Sequence, residues 1–158
     1  TRIACEQGAR EVDMVVNVGK VLSEDWDYVE RDIRGVVDTA HSFAAITKVI
    51  FETDFVSRDE HKIKLCEICL RAGAEFVKTS TGFGFVKQSD GAMKTVGATE
   101  HDIRLMKTHC GDHLQVKASG GIRSYEDARR MVECGATRLG TSASEAIAKG
   151  VAAESGGY

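Results

Sequence analysis

The 158-residue sequence predicts an α/β fold, namely a (β/α)8 TIM barrel of which only about the last five βα units are present. A Gly-Ala pair recurs at Gly8, Gly73 and Gly135, each time between a helix-like segment and a short apolar strand. Glycine just past a helix is the usual left-handed cap, so each pair predicts the end of a helix and the start of a strand. Five strands are expected, at about residues 11–17, 47–53, 75–80, 113–118 and 137–142.

Charged residues inside these strands favour a barrel over a doubly wound open sheet. They are Asp13, Lys48, Glu52, Lys78 and Lys117. A barrel interior converges on a site at the carboxyl ends of its strands, and the first strand lacks the glycine fingerprint of dinucleotide-binding sheets. Five units cannot close an eight-stranded barrel. We therefore expect residues 1–158 to be the C-terminal portion of a single domain whose N-terminal βα units are missing, with an unusual open sheet as the alternative.

Serines followed by acidic residues predict where the intervening helices begin. Ser23 and Ser124 each precede an acidic first turn, and Ser57 forms a capping-box pattern with Glu60. Apolar residues at helical spacing then predict helices after residue 26 and over about 61–72, 99–109 and 124–133.

Composition excludes several classes of function. The formal net charge of −3 argues against a generic nucleic-acid or membrane-surface binder. No apolar run approaches the roughly 20 residues of a membrane span, and no signal peptide is visible, so a cytoplasmic protein is expected. Cys66 and Cys69 form a CxxC pair within a predicted helix, but no second pair completes a tetrahedral site. The five cysteines are therefore interpreted as reduced thiols, with no metal.

Lys78 and Lys117 lie where two predicted strands end, each followed by a turn of small residues. Alternation along the strands places five charged residues on faces that a barrel would turn inward, so that they crowd one interior: Asp13, Lys48, Glu52, Lys78 and Lys117. A neighbouring ammonium and burial both disfavour protonation of a lysine, and a neutral amine can attack an aldehyde to form an imine. A carboxylate such as Asp13 can move the protons. The alternative is that these charged side chains only form ion pairs with one another, or that the lysine ammonium groups simply extend into water.

Three glycine-rich turns follow the last three predicted strands, with the sequences TSTG at 79–82, SGG at 119–121 and GTS at 140–142. Backbone amides and hydroxyls that converge at one end of a barrel form an anion site, and phosphate is the usual ligand there. The alternative is that glycine merely permits tight βα turns.

Four segments together resemble the deoxyribose-phosphate aldolase family: 11–19, 48–53, 76–83 and 116–123. The resemblance runs from the family's fourth barrel strand to its C-terminus. It implies a class I aldolase (EC 4.1.2.4) that reversibly cleaves 2-deoxy-D-ribose 5-phosphate to D-glyceraldehyde 3-phosphate and acetaldehyde, in the catabolism of deoxyribose phosphate. It also implies a homo-oligomer, a dimer, that needs no cofactor. Another sugar-phosphate-binding barrel enzyme, or a non-catalytic truncated half-barrel, is the alternative.

The resemblance also assigns roles to residues. Lys78 would form the Schiff base, Lys117 would tune it and donate protons, and Asp13 would relay protons. Supporting positions would be Lys48, Glu52 and Tyr158, and phosphate-binding positions would be Gly82, Gly120, Gly121, Gly140 and Ser142, with Arg123 nearby. Phe83 and Ala143 stand where some members have a lysine and a serine, which implies a different phosphate affinity.

Overall fold

The structure is a computed structural model that describes residues 1–150, so the predicted supporting residue Tyr158 lies outside the described residues. The helices are α1 Arg2–Glu6, α2 Val18–Leu22, α3 Trp26–His41, α4 Asp59–Ala72, α5 Glu100–Cys110, α6 Tyr125–Glu133 and α7 Ser144–Ala148. The strands are β1 Glu11–Val15, β2 Ile46–Ile50, β3 Phe76–Lys78, β4 Val86–Lys87, β5 Met93–Lys94, β6 Gln115–Ser119 and β7 Arg138–Gly140.

Five of these strands form one parallel sheet in the order β1-β2-β3-β6-β7. The order follows the chain without reversal, and the helices pack on one another in the same sequence: α3 on α4, α4 on α5, α5 on α6 and α6 on α7. A doubly wound sheet reverses its strand order and has helices on both faces. The structure is therefore a section of a barrel wall, with its helices outside, as the sequence predicts.

The core lies between the sheet and the helices. Val49, Val77 and Val116 are fully buried and stand in register across β2, β3 and β6. Ile33 and Leu65 from α3 and α4 belong to the same core. Each such side chain contributes about 1.5–3 kcal/mol when removed from water. Because side chains alternate along a strand, this row of valines fixes the neighbouring residues on the concave, inner face.

The glycines of the Gly-Ala repeat behave as predicted. Gly8, Gly73 and Gly135 all have positive φ angles, between 81° and 112°, and Gly73 is the left-handed cap of α4. Each glycine therefore ends a helix and redirects the chain into the sheet, which accounts for the repeat.

Two of the three predicted helix starts are wrong in detail. Asp25, not Ser23, caps α3, because its carboxylate accepts the N–H of Tyr28. The box predicted at Ser57 does not form, because α4 begins at Asp59 with Arg58 in the cap position and no side-chain cap bond. The predicted cap of α6 is confirmed as a full capping box, in which Ser124 and Asp127 bond each other's backbone.

The cysteines belong to the core. All five are free and buried, and Cys66 and Cys69 lie on α4 as predicted. A hydrogen bond with Cys110, together with burial, raises the pKa of the Cys66 thiol. The Cys66 thiol therefore stays protonated and unreactive. Within residues 1–150, no helix combines the length and the hydropathy needed to cross a membrane.

A hairpin that the sequence patterns do not predict lies between β3 and α5. Its strands β4 and β5 pair antiparallel, with Val86 opposite Lys94 and Lys87 opposite Met93. The hydroxyl of Thr95 donates to the carbonyl of Gly84 at 2.6 Å and joins the two ends of the hairpin. The hairpin therefore rises from the end of β3, on the side of the sheet where the predicted site lies.

Candidate active site

Three lysines and Asp13 converge on the concave face of the sheet. The Lys48 ammonium lies 2.8 Å from Asp13 Oδ1, and the Lys78 ammonium lies 2.7 Å from Asp13 Oδ2. Lys117 reaches the same Oδ2 at 3.4 Å. Lys78 and Lys117 are direct partners in the register of β3 and β6. The strand alternation that predicted this cluster is thus realised across four strands.

Lys48 is the most enclosed of the three lysines. Its side chain is only 4% exposed and is held by two carboxylates, Asp13 and Glu11, the latter at 2.9 Å. Glu11 also pairs with Arg138, which lies over the ring of Phe76. This network joins the first and last strands of the sheet, and it fixes Asp13 so that its second oxygen faces Lys78 and Lys117.

Lys78 and Lys117 are more accessible, with side chains 12% and 16% exposed. Burial, and then the positive charge of Lys78, lower the pKa of Lys117. Burial alone would raise the pKa of Asp13, but hydrogen bonds from Lys48 and Lys78 outweigh it and hold that pKa well below its usual 3.8. The cluster therefore combines a permanent carboxylate with an amine that loses its proton unusually easily.

Glu52 contacts the turn after β3, in contrast to the predicted place among the lysines. β2 ends at Ile50, and Glu52 has a φ of +55°, in the left-handed region that side chains rarely adopt. Its carboxylate accepts hydrogen bonds from Ser80 Oγ at 2.8 Å and from the N–H and Oγ1 of Thr81 at 3.1 and 2.6 Å. Glu52 therefore fixes the turn that follows Lys78.

The turns after β3 and β6 are bonded to each other. Thr79 Oγ1 donates to the carbonyl of Ser119 and accepts the N–H of Ser119, at 2.8 and 3.0 Å. In the first turn the N–H of Gly82 donates to Ser80 Oγ at 2.9 Å, so this amide already has a partner. A phosphate role for Gly82 through its N–H would require that bond to be exchanged.

The other predicted phosphate positions lie at the ends of β6 and β7. Gly120 and Gly121 have φ angles of +90° and +76°, which favour glycine. A Cβ on Gly140 would lie 2.9 Å from Ser119 Cβ and 3.3 Å from Lys117 Cε. A side chain at this position would therefore displace Ser119 or the Lys117 side chain. Ser142 is exposed in the turn after β7. Gly140 thus lies beside Lys117, whereas the phosphate role of these four residues stays a prediction.

A protein-family model matches almost the whole chain. Residues 1–153 match the model of the DeoC/LacD family aldolases. The chain belongs to the DeoC/LacD aldolase family. The deoxyribose-phosphate aldolase of Clostridium perfringens (strain SM101 / Type A) is 49% identical over 155 residues, which cover 98% of this chain and 64% of that protein. The deoxyribose-phosphate aldolase of Streptococcus sanguinis (strain SK36) is 51% identical over 158 residues, or 100% of this chain and 66% of that protein.

Solved structures of this aldolase family agree with the fold. The deoxyribose phosphate aldolase of Aeropyrum pernix, described as having a unique tetrameric structure, superposes with a TM-score of 0.76 at 34% identity. The match covers 92% of this chain and 56% of that one. The chain thus spans about 64% of the length of its Clostridium perfringens relative, and the matched part carries all the strands described above.

Sequence reasoning missed two members of the ion-pair network around Asp13, namely Glu11 and Arg138. Both were detectable by the alternation that found the lysines, since Glu11 lies two residues before Asp13 and Arg138 two before Gly140. The pairing of Glu11 with Arg138 was not detectable, because 127 positions separate them.

Replacing Asp13 with Asn is expected to destabilise the protein more at about pH 6 than at about pH 3. The folded state keeps this carboxylate deprotonated far below 3.8, whereas the unfolded chain binds the proton near 3.8. Between the two pKa values the unfolded state binds more protons than the folded state. The stabilisation that the Asp13 carboxylate provides is therefore complete above about pH 5, and it is lost as the pH falls towards the pKa of Asp13 in the folded state. Urea unfolding at both pH values measures this. Glu133→Gln on the surface of α6 is the control, and equal losses at both pH values would contradict the assignment.

Proposed function

We propose that this chain carries the Schiff-base site of a deoxyribose-phosphate aldolase, which reversibly cleaves 2-deoxy-D-ribose 5-phosphate to D-glyceraldehyde 3-phosphate and acetaldehyde. The observation that carries the proposal is the sharing of one Asp13 oxygen by the amines of Lys78 and Lys117. Two amines on one carboxylate allow one to react with a carbonyl while the other moves protons. The names of the Clostridium and Streptococcus relatives support the substrate class.

In this mechanism the Lys78 amine attacks the C1 aldehyde of the open-chain sugar phosphate. The carbinolamine loses water and becomes a protonated imine. A base then removes the proton of the C3 hydroxyl, the C2–C3 bond breaks, and its electron pair moves into the enamine while D-glyceraldehyde 3-phosphate leaves. Protonation at C2 and addition of water release acetaldehyde and restore the amine. These steps need a group that takes up and returns protons, and Asp13 and Lys117 beside Lys78 can serve as such groups.

The three lysines take different roles because their surroundings differ. Lys48 is enclosed between Glu11 and Asp13, so it positions the carboxylate and does not meet substrate. Lys117 has the lowered pKa and therefore suits accepting and returning protons. Lys78, followed directly by the turn that Glu52 fixes, is the amine that attacks.

We also propose that the protein is a cytoplasmic homo-oligomer, with a dimer as the smallest form. The free cysteines support a reducing compartment. The tetrameric Aeropyrum relative supports self-association in this family.

Aldol cleavage by the protein at its natural full length tests the proposal. Purified protein is incubated with 2-deoxy-D-ribose 5-phosphate, and acetaldehyde and D-glyceraldehyde 3-phosphate are each quantified. We expect equal amounts of the two products. An isomerised sugar phosphate without acetaldehyde would contradict the proposal and favour another sugar-phosphate barrel enzyme.

Lys117→Leu is expected to slow the reaction of Lys78 with acetaldehyde by roughly 100-fold and to change its pH profile, because it removes the neighbouring amine whose lowered pKa suits it to accept and return protons. Reductive trapping with borohydride across a pH series measures both effects. Lys64→Met, which removes an exposed lysine of α4, is the control and should leave the profile in place. If the pH profile of trapping in Lys117→Leu is also unchanged, the coupling between Lys78 and Lys117 is refuted.

A further inference from the structure

The β4–β5 hairpin has no part in the Schiff-base chemistry, yet its residues line a cavity that also includes Gly121, one of the predicted phosphate positions. The cavity has a volume of about 600 Å³. Its lining combines the hairpin segment residues Gln88, Met93, Lys94, Thr95 and Val96 with Gly121 and Arg123, which follow β6. The hairpin therefore faces the turn after β6, which is one of the proposed phosphate positions.

The base of the hairpin is fixed against that turn. Asp54, which is buried after β2, accepts the N–H of Gly97 at 2.9 Å. A Cβ at Gly97 would lie 2.4 Å from the carbonyl carbon of Gly120, and the N–H of Ala98 donates to the Gly120 carbonyl at 3.0 Å. Any side chain at Gly97 would therefore displace the β6 turn, so the hairpin and this turn form one unit.

The start of the hairpin is held by the same region. A Cβ at Gly84 would lie 2.9 Å from the Asp54 carboxylate, and the ring of Phe85 packs edge-on against that of Phe55 at 5.6 Å. Both ends of the hairpin thus rest on the segment that follows β2. This anchoring gives the hairpin a defined position over the cavity.

Lys94 is the cationic residue that the hairpin contributes to the cavity. It is exposed, and no ion pair or hydrogen bond of its ammonium is seen among residues 1–150. Lys94 lines the cavity together with Val96, whose carbonyl oxygen would lie 3.0 Å from a Cβ on Gly121. Arg123 brings a second cation to the lining of the same cavity. Two cations and a glycine turn around one cavity suit a phosphate monoester.

We propose that Lys94 of the hairpin binds the phosphate group of the sugar-phosphate substrate, together with Gly121 and Arg123. This inference rests on the proposed function, because it assigns the phosphate end of the same substrate. The hairpin is thereby a specificity element: it favours phosphorylated sugars and leaves the amine chemistry to Lys78.

Lys94→Met at natural full length tests the inference, with Lys87→Met as the matched control. Lys87 is the exposed lysine of the other hairpin strand and is not part of the cavity lining. We expect Lys94→Met to raise KM for 2-deoxy-D-ribose 5-phosphate roughly 10-fold, with little change in kcat and none in KM for unphosphorylated 2-deoxyribose. Lys94→Arg should restore most of the affinity, and Lys87→Met should leave KM unchanged.

Calorimetry with inorganic phosphate separates this inference from the proposed function, because it needs no catalysis. We expect the Kd for phosphate to rise roughly 10-fold in Lys94→Met and to be unchanged in Lys87→Met. Equal phosphate affinity of wild type and Lys94→Met would overturn the role of Lys94, even if acetaldehyde is still trapped on Lys78. Failure to trap acetaldehyde, with phosphate binding that depends on Lys94, would instead overturn the aldolase proposal alone.

Discussion

Lys78→Leu is expected to reduce aldol cleavage by on the order of 10⁴-fold or more, because the imine cannot form without the attacking amine. The Lys117 amine reaches the same carboxylate oxygen at 3.4 Å, but it belongs to another strand and cannot replace Lys78 at the reacting carbon. Production of acetaldehyde from 2-deoxy-D-ribose 5-phosphate measures the loss.

The matched control for this experiment is Lys64→Met on the exposed surface of α4. Its cleavage rate should equal that of the wild type. Circular dichroism should show that Lys78→Leu keeps its secondary structure, since the Lys78 side chain lies outside the hydrophobic core. Turnover that survives in a folded Lys78→Leu protein would contradict the Schiff-base mechanism.

Lys62→Met is expected to lower the free energy of unfolding by about 3–5 kcal/mol, because it leaves a buried carboxylate without its cation. The Lys62 ammonium on α4 lies 2.5 Å from Asp102 Oδ1 on α5, and the two side chains are 6% and 7% exposed. Asp59 completes the cluster at 3.2 Å. Chemical denaturation at neutral pH measures the loss.

A double variant separates the unpaired charge from the packing. Lys62→Met combined with Asp102→Leu removes both charges, and it should recover much of the stability that the single change loses. Lys64→Met on the same helix should change stability by less than about 0.5 kcal/mol. Equal losses in the single and double variants would show that packing, and not the unpaired carboxylate, sets the cost.

Local patterns in the sequence were enough to predict the barrel section and the lysine cluster. The Gly-Ala repeat marks helix ends because only glycine adopts the left-handed cap readily. The strand faces of Asp13, Lys48, Lys78 and Lys117 follow from a period of two, which any strand must obey. Both signals lie within a few residues of the features they predict.

Contacts between distant parts of the chain could not be predicted in this way. No local pattern predicts that Arg138 pairs with Glu11 or that Lys62 pairs with Asp102. The two residues of each pair are far apart in the sequence and become neighbours only in the folded structure. Glu52 was misplaced because alternation assumes that β2 continues, whereas the chain leaves the sheet after Ile50. The hairpin was not predicted because its strands have only two residues each, which is too short for an alternating pattern.

Identification of the residue that traps acetaldehyde is a direct test of the Schiff-base mechanism at Lys78. The protein at natural full length is treated with acetaldehyde and borohydride, digested, and sequenced by mass spectrometry. Reduction of the imine leaves an ethyl group on the reacting lysine. We expect a single ethylated site at Lys78, which is absent when borohydride is added without acetaldehyde. An ethyl group on Lys117 or Lys48 in place of Lys78, or no stable adduct at all, would contradict this mechanism.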